Sequence, residues 1–137
     1  MYTGVLVSAL IRRQEMGVLH LHGDVLRALR DGRFTVIYST ETLVELIEVL
    51  GRAAFRRKYH LEEGDIQALV NLLRLRGELV TPQRQVDVCR DPKDNKFLAA
   101  AAADRADCLV SNDADLLDLG RFESIPVLRP AEFLARL

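Results

Sequence analysis

Two cysteines, Cys89 and Cys108, are all this chain of 137 residues contains, and they lie far apart without CxxC spacing. Free, buried thiols in a reducing compartment are therefore expected. His20, His22 and His60 offer no ligand spacing that would join them in a zinc site. No apolar run approaches the roughly 18–20 residues a membrane span requires. The start lacks the basic flank, long apolar stretch and cleavage site of a signal peptide, so the cytoplasm is the expected location. No charge of one sign dominates: the formal net charge is −1. A global basic field for collecting nucleic acid is thus excluded, and phosphate binding would have to be local. GxGxxG, P-loop and GxSxG motifs are missing, as is any evident nucleophile–base pair. Repeats, low-complexity tracts and linkers are also lacking, and residues 1–137 read as one domain.

What is present is an alternation of short apolar runs and helical periodicities. Val5–Leu10 (VLVSAL) suits a strand or the first turns of a buried helix. Gly17–Gly32 reads as a helix stopped by Gly32, and Phe34–Tyr38 (FTVIY) as a strand. Ser39 and Thr40 are N-cap candidates for a helix reaching about Leu50. On it Leu43, Leu46, Ile47 and Leu50 form the expected core stripe, and Glu41, Glu45 and Glu48 lie opposite. Gly51–Tyr59 carries Arg52, Arg56, Arg57 and Lys58, which suit a solvated connection or an edge that tracks phosphates. Leu61–Arg76 is a further helix and Leu79–Val80 a short strand before Pro82. Ile125–Leu128 is a last strand, and Pro130 suits the first position of a closing helix, Ala131–Leu137. This alternation predicts an α/β domain with a mainly parallel sheet.

The segment from Asp87 to Asp118 holds eight aspartates and no glutamate. Glutamate would serve a solvated helix face at least as well. Aspartate is preferred where a carboxylate must sit at an element's end, as a cap or as a ligand, and both readings stand. Asp91-Pro92 marks a turn, and helical spacing from Phe97 to Ala102 follows Asp94. Cys108–Val110 is long enough for a buried strand, with Asp113 and Asp115 just past its carboxyl end. Ligands of parallel α/β sheets bind outside the carboxyl ends of the strands. An acid at a helix start and one at a strand end are therefore able to share a crevice. Should Glu45, Asp94 and Asp113 converge, three carboxylates without histidine suit a hard divalent cation and phosphodiester hydrolysis.

The segments FTVIYSTETLVELIEVL, CRDPKDNKFLAAAAADRADCLVSNDADLL and IPVLRPAEFL, in this order, resemble a PIN domain. The resemblance spans essentially the whole chain and is nearest to toxin components of toxin–antitoxin systems related to VapC-like ribonucleases. It implies a three-layer α/β/α sandwich with a mainly parallel central sheet. It also implies Mg²⁺- or Mn²⁺-dependent cleavage of single-stranded RNA, an antitoxin partner and a homodimer. Carried onto matching positions, its catalytic acids are Glu45, Asp94 and Asp113, with Asp91 and Asp115 as further metal ligands. Arg52, Arg56, Arg57 and Lys58 are secondary candidates for holding RNA. The alternative is a PIN-fold module that binds an antitoxin or RNA without cutting it.

The departure from the family lies at the start. An apolar strand ending in Asp-Thr-Asn is expected there, and this chain has Tyr2, Thr3 and Gly4. One carboxylate is lost, since a tyrosine is a poor ligand for Mg²⁺. The expectation is a truncated or altered first strand, with Met1–Val7 drawn into the vacant position or a second chain covering it.

Overall fold

The structure, a computed structural model, describes residues 5–7, 24–58, 60 and 62–137. Its first strand, β1 (Val5–Val7), lies in the middle of the sheet. A helix over residues 24–30, α1, ends at Gly32, whose φ of 72 is the left-handed value that favours glycine. There follow β2 (Val36–Tyr38), α2 (Thr40–Gly51), α3 (Ala53–Lys58), α4 (Glu63–Arg76) and β3 (Gly77–Leu79). A 3₁₀ turn (Pro92–Asp94) leads into α5 (Asn95–Ala103) and then β4 (Cys108–Val110). The chain finishes with α6 (Ala114–Leu119), β5 (Arg121–Phe122), β6 (Ile125–Leu128) and α7 (Pro130–Ala135).

The strand order is β3-β2-β1-β4-β6-β5, and every neighbouring pair is parallel except β5 with β6. This is the α/β architecture with a mainly parallel sheet that the alternating pattern predicts. Val5 pairs with Val36 on one side and Cys108 on the other, so Val5–Val7 fills the central strand position. Tyr2 and the rest of residues 1–4 and 8–23 lie outside the described residues, as do His20 and His22.

Local chemistry explains the boundaries. Ser39 caps α2: its Oγ accepts from Thr42 N at 3.2 Å, and its own N donates to Thr42 Oγ1 at 2.9 Å. Gly77 opens β3 where a Cβ would come within 2.3 Å of the Leu73 carbonyl and 2.8 Å of Val36, so only glycine fits. Ala100 and Ala101 are fully buried, and α5 lies directly on β1 and β2. Phe34 meets Phe133 edge to face at 5.0 Å and seals the amino end of the sheet.

Two sequence expectations need correction. Ile47 is exposed; Thr42, Leu46, Val49 and Leu50 make the buried side of α2 instead, with Leu43 half-buried. Gly51–Tyr59 is a helix over Ala53–Lys58 rather than a bare connection. The β5–β6 hairpin has no counterpart in the sequence reading. Its two-residue arm is too short to show a period.

Candidate metal centre

Asp94 reaches the carboxyl end of the sheet because of the turn before it. Asp91 Oδ1 accepts from Lys93 N at 3.0 Å, Asp91 O accepts from Asp94 N at 3.0 Å, and Pro92 fixes the first position. This turn delivers Asp94, fully buried, to the start of α5. Asn95 then fastens the preceding loop: its Oδ1 accepts from Val88 N at 3.2 Å and Cys89 N at 2.9 Å.

The second wall comes from β4. Ser111, fully buried, donates its N–H to Leu128 O at 2.9 Å, and its Oγ accepts from Asp113 N at 2.9 Å. Asp113 caps α6, its Oδ1 accepting from Asp115 N at 3.0 Å. The result is that one carboxylate oxygen from each of Asp94, Asp113 and Asp115 lies within 4.8 Å of the other two.

Three ionised carboxylates this close repel by at least roughly 3 kcal/mol per pair at an effective dielectric near 20. Arg90 offsets part of that, with Nη1 at 3.6 Å from Asp115 and Nη2 at 3.7 Å from Asp118. The Arg90 side chain is 77% exposed, so the contact is screened and worth little. The negative field is also felt by Cys89, whose thiol is pushed up to about 11 by burial and then by Asp94, Asp113, Asp115 and Asp91. Its sulfur is not among the ligand atoms that gather here. The donors are then all carboxylate oxygens. An octahedral cation with bonds of about 2.1 Å holds its ligand atoms roughly 3–4 Å apart. A small inward movement of the trio meets that spacing, so these residues fit a hard divalent cation.

The profile of the PIN domain matches residues 3–115. The chain belongs to the PIN domain family. PIN domains are in general metal-dependent nucleases, and the aspartate trio lies in the part of the chain that the match covers. Comparison with curated proteins gives no match.

Of the acids named from sequence, the PIN scaffold brings Asp94, Asp113 and Asp115 together. Asp91 lies outside the trio, with its Oδ1 capping the 3₁₀ turn. Glu45 lies outside the trio: its Oε2 is 3.3 Å from Nζ of Lys96, both side chains being about four-fifths buried. Lys96 in turn lies over the Phe97 ring at 5.8 Å. A glutamate that periodicity places on a solvated face is thus turned inward by a lysine from another helix. Arg52, Arg56, Arg57 and Lys58 come at the far end of α2, which at twelve residues is about 18 Å long. Arg52 is engaged with Glu48 at 3.4 Å.

Sequence reasoning passed over three cations: Arg90 beside the trio, Lys96 beside Glu45, and Arg84. The first two alternate with aspartates in CRDPKDNK, which was the available signal. Arg84 has none. It stands in a loop, is held by Glu123 through Nη2 and Oε1, and lies 5.7 Å over the Phe122 ring. No helix among the described residues is long and apolar enough to cross a membrane.

Proposed function

We propose that this PIN domain is a metal-dependent endoribonuclease, the toxin of a toxin–antitoxin pair, acting with Mg²⁺ or Mn²⁺. The observation that carries the nuclease reading is the aspartate trio at the carboxyl end of a PIN-type sheet. RNA as substrate and an antitoxin as partner rest on the likeness of the CRDPKDNKFLAAA and LVSNDADLL segments to toxin-type relatives.

Asp94, Asp113 and Asp115 hold the cation, with Asp94 anchored by burial and Asp113 oriented by the Ser111 hydroxyl. When bound, such a cation supplies Lewis-acid polarisation of the phosphodiester and a lowered pKa for the attacking water. Glu45 acts through Lys96, fixing an ammonium in the first turn of α5, two residues after Asp94, where it draws the negative backbone of RNA inward. Arg90, exposed and 3.6 Å from Asp115, would be able to turn to a phosphate oxygen once a cation neutralised the trio. The non-cleaving module is favoured by one observation, Tyr2 at the position of the family's first acid.

The test is cleavage of single-stranded RNA with Mn²⁺ by the wild type, Tyr2→Asp, Asp113→Asn and the two combined. EDTA-sensitive cleavage that Tyr2→Asp raises and Asp113→Asn removes is the expected result. No cleavage and no Mn²⁺ binding by any form would leave the binding module.

A further inference from the structure

Beside the aspartates lies a cleft of about 280 Å³ that metal chemistry does not use. Pro92 and Asn95, the residues of the 3₁₀ turn and α5 that bracket Asp94, line it, so it opens from the same wall as the trio. The opposite side is the loop after β3, including Arg84 and Gln85. Lys96 and Glu41 complete its charged lining. The volume is just under the roughly 300–1,000 Å³ that small-molecule sites offer. It suits one nucleotide rather than a folded element.

We infer that this cleft is a nucleotide subsite, holding the base of the residue next to the scissile phosphate and reading its amino group. The inference rests on the nuclease reading and deepens it, and four features support it. The Arg84 guanidinium lies over the Phe122 ring at 5.7 Å and is held by Glu123, so its position is restricted in advance. Stacking on arginine planes is a common way to hold unpaired RNA bases, and Arg84 lines the cleft. Asn95 spends its side-chain oxygen on Val88 and Cys89, and Ser39 spends its hydroxyl on the α2 cap, so neither oxygen accepts from the base. Glu41, exposed in the first turn of α2, is the carboxylate acceptor at the cleft. Carboxylates accept from exocyclic amino groups, as on cytosine N4. Uracil has no such group. Lys96 supplies the cation for the phosphate on the side facing Asp94.

The probes are the four ribonucleoside 5′-monophosphates, titrated into the metal-free protein and followed by backbone amide NMR. Saturable shifts at Val86, Asn95 and Ala99 are expected, with uridine monophosphate weakest. Arg84→Ala should weaken binding about tenfold, the scale of one stacked base. Arg84→Lys should weaken it comparably, because the charge remains but the plane is gone. Both variants should bind Mn²⁺ as the wild type does. Glu41→Gln should narrow the gap between uridine and the other three. Shifts absent from the cleft at saturating nucleotide, or Arg84→Lys binding like wild type, would overturn the subsite. The nuclease reading fails differently: Mn²⁺ neither binds nor supports cleavage while the cleft shifts persist.

Discussion

The two ends of the sheet are built from different chemistry. Around the amino ends of β2, β4 and β6 the buried groups are Phe34, Val36, Ala106, Cys108, Ile125 and Phe133. At the carboxyl ends sit all the buried polar side chains among the described residues: Ser39, Thr42, Asp94, Asn95 and Ser111. Buried polar groups need partners, and here Ser39, Thr42, Asn95 and Ser111 are spent on capping and on orienting backbone around the aspartates. One end therefore supplies cohesion by apolar burial, about 1.5–3 kcal/mol per large side chain, and the other supplies position. Changes at one end should leave the other's property intact.

The largest break is expected at the apolar end. Phe133→Ala opens a cavity against Phe34 and should cost about 3–5 kcal/mol in denaturant unfolding, with Mn²⁺ affinity of the folded protein unchanged. Next comes the reverse case. Asp113→Asn should weaken Mn²⁺ binding by calorimetry about a hundredfold. Asparagine caps a helix as well as aspartate, and one repulsive charge is gone, so metal-free stability should hold or rise. A loss of stability there would make Asp113 a structural residue. Asn95→Ala is the substitution that should trouble both properties. It strips acceptors from Val88 N and Cys89 N, costs about 2 kcal/mol, and loosens the loop carrying Asp91, so Mn²⁺ affinity falls too. Ser39→Ala removes only a cap and should cost about 1 kcal/mol without touching Mn²⁺ affinity.

The smallest effect at ordinary pH concerns Cys108. Burial in β4, and then Asp107, push its thiol from 9.0 up to about 12. The fold favours the protonated thiol, so this contribution is whole below pH 9 and fades as pH rises from 9 towards 12. Cys108→Ala should flatten the alkaline limb of stability measured against pH.

Much of this was legible in the residues. Strands over Cys108–Val110 and Ile125–Leu128 were visible because each is a short apolar run between turn residues. The meeting of Asp94 with Asp113 and Asp115 follows from placing one acid at a helix start and two just past a strand end. Glu45 and Ile47 show where periodicity fails. Both sit near the border of the buried side of α2, and what decides is the element opposite. Lys96, from a helix more than a third of the chain away, draws Glu45 inward, while Ile47 is left facing water. Arg84 was illegible for the same reason: its brace, Glu123, is 39 residues further along.

The placement of β1 between β2 and β4 has a consequence for how the molecule comes into being. Val5–Val7, near the beginning, must find Cys108–Val110, more than a hundred residues later, before the middle of the sheet is closed. Contacts so distant in sequence make for slow folding, since a long loop must be closed before they stabilise anything. A chain still leaving the ribosome lacks β4 and the residues after it, so Asp113 and Asp115 have no scaffold on which to meet Asp94. Synthesis order thereby delays assembly of the acidic centre until β4 and Asp115 have been made.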